Sequence, residues 1–156
     1  MVSKDIVDIK IKLIETGSDF ILPEYQTKGA AGIDLRANIN TKINSLNILS
    51  GKWIKVRTGI SVAIPEGFEG QIRPRSGIAY KNGVTVLNSP GTIDSDYRGE
   101  IIIILINHGT EIYKVKHGER IAQLVISPVV RSSFTLLESL DSTVRNEKGF
   151  GSTGNE

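Results

Sequence analysis

Residues 53–64 alternate without a break. Ile54, Val56, Thr58, Ile60, Val62 and Ile64 fall on one face, and Lys55, Arg57, Gly59 and Ser61 on the other. A period of two sends successive side chains to opposite sides of a strand, so one long half-buried strand is expected here. Turn residues then recur at intervals of roughly 8–12 residues. They include Pro65-Glu66-Gly67, Asn82-Gly83, Ser89-Pro90-Gly91, Asn107-His108-Gly109 and His117-Gly118. No stretch sustains a 3.6-residue period. The pattern is that of an all-β sandwich or barrel, with at most one short helix.

The remaining strands are read in the same way. Ile9, Ile11 and Leu13 alternate with Lys10 and Lys12, the mark of a half-buried strand. Residues 38–50, rich in asparagine, are expected to hold a strand and a surface loop. Residues 68–73, 84–87, 111–116, 120–130 and 131–140 are each expected to be a strand. Residues 101–106 are apolar on both faces, so both sides are expected to be covered. In a chain this small, one of those sides can face another subunit. Pro74 stops the ladder, and Ser76 is placed to cap a short helix over 76–81.

At 156 residues the chain is expected to be about one domain, a single all-β unit over 1–140. Residues 141–156 read DSTVRNEKGFGSTGNE, with only Val144 and Phe150 to pack. Such a tail is expected to be a flexible C-terminal arm. A net charge of +2 does not mark nucleic acid as a partner. The absence of cysteine excludes disulfides and thiolate metal sites. His108 and His117 stand beside glycines and are read as turn residues rather than ligands. No N-terminal stretch is basic then apolar, so no signal peptide is expected. The longest apolar run is far too short to span a bilayer. The expectation is a soluble, cytoplasmic protein with no membrane partner.

Several fragments carry chemistry. Residues 83–100 read GVTVLNSPGTIDSDYRGE, with Asp94, Asp96, Tyr97 and Arg98 crowded after a tight reversal. On a β support this is either a site or a solvated hairpin. Arg75 and Ser76 give a fork of donors and a hydroxyl, and Gly77 an approachable N–H. That is an anion site in miniature, or plain capping beside a surface arginine. Asp34 lies next to small residues that let another backbone come close, or it is an exposed acid at a strand entry. Gln123 is a lone polar residue amid Ile121, Leu124, Val125 and Ile126. Residues 149–154, GFGSTG, offer consecutive N–H groups that can nest an anion, although the lysine of a Walker motif is missing. Arg145 is near enough to serve the same anion, and Phe150 can close over a flat ring; the bland alternative is a loose tail. Taken together, the fragments suit a ligand built from a polyphosphate, a sugar and a base.

They also match a family. The sequence resembles the dUTPase (deoxyuridine triphosphatase) family of the homotrimeric all-β type over residues 29–154. The motifs occur in order: AGIDL at 31–35, PRSGIA at 74–79, GTIDSDYRGE at 91–100, GERIAQLV at 118–125 and RNEKGFGSTG at 145–154. Ile33 stands where an aromatic or another aliphatic residue is more usual. Asn146 replaces a usual glycine, a mild change because asparagine tolerates positive φ.

The resemblance implies a distorted β-barrel or jelly-roll-like fold assembled as a homotrimer. Its active sites lie between subunits, each closed by a C-terminal arm, commonly from a third subunit. It implies hydrolysis of dUTP to dUMP and pyrophosphate by water attack on the α-phosphorus. That reaction limits uracil in DNA and supplies dUMP for dTMP synthesis. By the same resemblance, Asp94 holds and deprotonates the water, and Arg75, Ser76, Gly77 and Gln123 bind the phosphate chain. Mg²⁺ is the implied cofactor, held by substrate phosphates and water rather than by protein ligands. Asp34 acts at one remove through water, and Arg145 is an arginine finger. Uracil pairs with backbone of the 84–94 hairpin, at Gly91, Thr92 and Ile93, helped by Asn88. Tyr97 packs under the deoxyribose. Phe150 stacks on the base as the arm closes, with Gly151, Ser152 and Thr153 beside it. Two alternatives remain at this point. One is a dCTP deaminase-like enzyme of the same fold, which needs a glutamate proton shuttle and usually lacks the GFGSTG arm. The other is a non-catalytic β-module with a regulatory binding role.

Overall fold

In the computed structural model, residues 6–14, 21–40, 42–147 and 149 are described. Their regular elements are β1 (Lys10–Leu13), β2 (Ile33–Arg36), β3 (Ser45–Ile48), β4 (Trp53–Arg57), β5 (Ile60–Ala63), β6 (Phe68–Arg73), α1 (Ser76–Asn82), β7 (Val84–Val86), β8 (Gly91–Ile93), β9 (Ile102–Asn107), β10 (Tyr113–Lys116) and β11 (Arg120–Pro128). All the strand pairings are antiparallel. A four-stranded sheet runs β2-β11-β6-β8, a three-stranded sheet runs β4-β9-β7, and β1-β5 and β3-β10 pair separately. The mostly-β architecture with one short helix matches the expected fold class. Among the described residues no helix is long and apolar enough to cross a membrane.

The core lies between these sheets. Leu35 of β2, Ile48 of β3, Val56 of β4, Ile60 of β5, Ile103 and Leu105 of β9, Val115 of β10 and Ile121 of β11 are almost wholly buried. Full burial of such a side chain stabilises by about 1.5–3 kcal/mol relative to exposure. Asn107 is the polar residue among them, and it is satisfied. Its Nδ2 donates to Ile48 O at 2.9 Å and Glu111 O at 2.8 Å, and its Oδ1 accepts from Gly109 N at 2.8 Å.

Several strand expectations need correction. The alternation over 53–64 is two strands, because Gly59 adopts φ +75° and turns the chain between β4 and β5. β4 then pairs with β9, and β5 with β1. Ser61, expected to point outward, is buried, and its register partner in β1 is Lys12. β1 itself is an edge strand with all four residues exposed, not half-buried. In β9, Ile103 and Leu105 are buried, whereas Ile102 is 44% exposed. Within one chain, the outer face of that strand is therefore only partly covered.

Residues 84–94 do not form a paired hairpin. β7 pairs with β9 and β8 pairs with β6, so the intervening segment, with a cis Ser89-Pro90 peptide, crosses from one sheet to the other. The helix is where the sequence places it, but Ser76 does not cap it. Arg75 occupies the N-cap position with extended φ −95° and ψ 126°, and no side chain caps the helix. Residues 131–140 contain no strand. Their large apolar side chains, Phe134 and Leu136 above all, are exposed, so β spacing there lacks an inner face to bury.

Candidate active site

The crossing from β7 to β8 makes a cavity. Its volume is about 230 Å³, and Asn88, Gly91, Thr92, Ile93, Asp94 and Tyr97 line it against Ile72, Val86, Glu100 and the start of β9. β8 is held in place by its pairing to β6, where Gly91 faces Ile72 and Ile93 faces Gly70. A Cβ at Gly91 would lie 3.1 Å from Asn88 Nδ2 and 3.3 Å from Ile72 Cβ, so glycine keeps this floor thin and lets the amide fold over it. One chain brings these six residues together around the cavity.

After β8 the chain bends instead of continuing extended. Tyr97 N donates to Asp94 O at 3.1 Å. Arg98 Nη1 donates to Ser95 O at 2.6 Å and Tyr97 O at 2.7 Å, bracing that bend. The bend separates the two acids. Asp94 borders both the cavity and a broader groove outside it, whereas Asp96 borders only the groove, with Glu66 and Glu69. The Tyr97 hydroxyl donates to Glu100 O at 3.0 Å, which fixes the ring against the cavity wall.

A second cluster forms on the β2–β11 side of β6. Asp34 Oδ1 accepts from Arg75 Nε at 2.9 Å, and its Oδ2 accepts from Arg120 Nη1 at 3.1 Å. Arg75 Nη1 also donates to Arg120 O at 3.2 Å. Arg75 is thus held through both Nε and Nη1. Gln123, in register with Asp34, donates from Nε2 to Pro74 O at 2.9 Å. The small residue beside Asp34 admits a side chain rather than another backbone: a Cβ at Gly32 would overlap the Gln123 amide. Ser76 and Gly77 follow Arg75 in the first turn of α1, and a Cβ at Gly77 would meet nothing within 4 Å. Next to this cluster the Tyr113 hydroxyl donates to the Glu119 carboxylate. Burial, then that bond and the carboxylate's charge, hold the Tyr113 hydroxyl far above the usual tyrosine range, against an opposing pull from Arg75.

The two clusters do not line one cavity within a single chain: Asp34, Arg75, Ser76, Gly77 and Gln123 are all absent from the walls around Tyr97. Arg145 stands in an exposed stretch without strand or helix. Beside it Asn146 takes φ +45°, and Thr143 and Asn146 exchange backbone-to-side-chain hydrogen bonds at 2.9 and 3.0 Å. Phe150, Gly151, Ser152 and Thr153 lie outside the described residues. Sequence reading missed Arg120. Strict alternation would set it on the opposite face from Gln123, but a register shift between Arg120 and Ala122 resets the strand. Glu100 and Gly99 were also missed, although both stand inside the DYRGE string.

Fold and site together define a class of protein: an antiparallel β scaffold with a ring-sized pocket and a separate guanidinium cluster, suited to a ligand with a flat head and an anionic tail. The dUTPase family profile matches residues 18–154. Over 138 residues the chain is 54% identical to the deoxyuridine 5'-triphosphate nucleotidohydrolase of Rhizobium rhizogenes, with 88% of each chain covered. It is 48% identical over 154 residues to the enzyme of that name from Ehrlichia canis, with 97% of this chain and 99% of that one covered. The dUTPase of Staphylococcus bacteriophage 80alpha, solved with dUPNHPP, has the same fold at a TM-score of 0.77 and 27% identity. That match covers 94% of this chain and 98% of the other. The chain belongs to the dUTPase family.

Proposed function

We propose that this protein hydrolyses dUTP to dUMP and pyrophosphate, by attack of water on the α-phosphorus, so limiting uracil in DNA and supplying dUMP for dTMP synthesis. The observation that carries the reading is the cavity with Asp94 at its rim and Tyr97 as its wall. Backbone of Gly91, Thr92 and Ile93, with the Asn88 amide, offers donors and acceptors to a uracil edge. A ring with the wrong pattern leaves buried groups unpaired, at a cost of about 10⁴-fold. Tyr97 packs under the deoxyribose. Asp94 is the base for the attacking water.

The guanidinium cluster is the proposed phosphate subsite. Arg75, Ser76, Gly77 and Gln123 bind the chain of phosphates, and Asp34, which holds both guanidiniums, acts at one remove. Because this cluster and the cavity are separate within one chain, the proposal places each complete site between subunits of a homotrimer. The partly covered outer face of β9 supports such an assembly. The 141–156 segment is the proposed arm, with Arg145 as its arginine finger and Phe150, Gly151, Ser152 and Thr153 closing over the nucleotide.

Mg²⁺ is the proposed cofactor. Among the described residues no three carboxylate, imidazole or thiolate groups gather to hold a metal. Mg²⁺ keeps water and takes phosphate oxygens readily, so substrate phosphates and water are its proposed ligands. Bound there, it would neutralise phosphate charge.

Pyrophosphate release from dUTP and dCTP, with Mg²⁺ present, tests the reading. Release from dUTP alone is expected. Conversion of dCTP to a deaminated nucleotide would favour the deaminase alternative, and no turnover of either would favour a binding module. Light scattering should report three times the mass of one chain; a monomer would end the shared-site proposal.

A further inference from the structure

We infer that Gly99 determines sugar specificity by leaving the space into which Tyr97 folds, with Glu100 as the anchor of that fold. The inference rests on the sugar role proposed above for Tyr97. Gly99 is not among the glycines with positive φ, so its backbone would accept any L residue. Space is what demands glycine. A Cβ there would overlap the Tyr97 hydroxyl oxygen and lie 2.5 Å from Cζ and 2.9 Å from Cε2 of the same ring. Atoms essentially never approach so closely, so one of the two must move.

The backbone just beyond Gly99 is firmly held. Glu100 Oε2 accepts from Arg57 Nε at 2.8 Å and its Oε1 from Gly59 N at 2.8 Å. Ile101 N donates to Ile60 O at 2.8 Å, and Thr58 Oγ1 donates to Ile101 O at 2.6 Å. Residues 100–101 are thus stitched to the turn between β4 and β5, and Ile101 is wholly buried. The carbonyl that the Tyr97 hydroxyl meets is a fixed point. The ring is the mobile partner, since Tyr97 is 42% exposed and can swing into solvent. A methyl group at position 99 would break the bond to Glu100 O and turn the phenol away from the cavity. The wall that excludes a 2'-hydroxyl would go with it.

The experiment compares kcat/KM for dUTP and UTP in the wild type, Gly99→Ala, Tyr97→Leu and the double variant. Thermal unfolding of each variant is recorded beside it. Rejection of an added hydroxyl by shape is worth about 10²-fold. Gly99→Ala is therefore expected to raise the UTP-to-dUTP ratio by about 10-fold or more. In the Tyr97→Leu background the same substitution should change nothing, because the ring it displaces is gone; a contact pair behaves non-additively in this way. If Gly99→Ala alone does not fold, recovery of folding in the double variant supports the same steric cause. A folded Gly99→Ala that keeps wild-type discrimination overturns the inference and spares the role of Tyr97. So does an equal loss in both backgrounds. A wild type that accepts UTP as readily as dUTP overturns the role of Tyr97 and this inference together.

Discussion

Asp34 and Arg75, 41 residues apart in sequence, are joined by an Nε–H···Oδ1 bond of 2.9 Å. The other oxygen of the same carboxylate holds Arg120. One acid thereby fixes the plane of one guanidinium while a second guanidinium offsets its charge. Arg75 is pinned through Nε to Asp34 and through Nη1 to Arg120 O, so in its proposed role it would meet an anion with little further ordering.

Asp34→Ala should separate binding from stability. Both ion pairs are partly exposed, with Arg75 at 27% and Arg120 at 39%. Solvent screens such pairs, so the loss of stability should be only about 1 kcal/mol. Arg75 would lose its restraint, and misplacement of a positioning group is expensive: affinity for a triphosphate should fall about 10–100-fold. Calorimetric Kd for a non-hydrolysable α,β-imido analogue, with Tm alongside, would measure both. An unchanged Kd would remove Asp34 from phosphate binding.

Tyr113 gives a pH prediction with a definite sign. Burial first, then the bond and charge of Glu119, raise its hydroxyl above the ordinary value of about 10. The folded state thus keeps that proton to higher pH than the unfolded chain does. The resulting stability is full below pH ~10 and is lost as pH rises through the folded value. Tyr113→Phe should cost about 1 kcal/mol near neutrality, the worth of one hydrogen bond. The Tm gap between wild type and variant should narrow above pH ~10. A gap that stayed constant to the alkaline limit would contradict the linkage.

How far the fold was legible depended on what each signal encodes. β6 begins and ends where the sequence places it, at Phe68 and Arg73, because a proline and a turn bracket it. The alternation over 53–64 misled because period two persists through a turn when Gly59, at φ +75°, substitutes for one outward residue. Residues 131–140 have β-like spacing, but a strand also needs a partner, which sequence spacing does not supply. The pocket residues from Asn88 to Tyr97 were legible because they are nearly contiguous. Arg120 was not: its bond to Asp34 spans 86 residues and depends on a register shift that inverts the expected face.

Removal of the proposed arm should leave the fold intact. The last strand ends at Pro128, and described residues beyond it add no strand or helix. Ending the chain after Leu140 should therefore leave Tm within a few degrees while kcat falls about 10³-fold or more, the scale of losing an arginine finger. Steady-state pyrophosphate release on the truncated protein measures it. Full kcat would show that the arm has no part in turnover.

The choice between Asp94 and Asp96 is the sharpest test of the proposed chemistry. In an extended chain, residues two apart share a face, so sequence alone gives both acids an equal view of a ligand. The bend closed by Tyr97 N and Asp94 O at 3.1 Å removes that equality. Asp94 keeps access to the cavity, and Asp96 is turned into the outer groove. Arg98 does not decide the matter, since its Nη1 is spent on the carbonyls of Ser95 and Tyr97. Water attacking phosphorus needs a proton acceptor, and a carboxylate at neutral pH is one. Asparagine keeps the shape and loses the acceptor function. Asp94→Asn should therefore lower kcat about 10²–10⁴-fold, the usual worth of a general base. Its Kd for the imido analogue should change far less, because base and phosphate contacts survive. Asp96→Asn should keep most of the activity. Proton-release assays on both variants would decide, and an inactive Asp96→Asn beside an active Asp94→Asn would reverse the assignment.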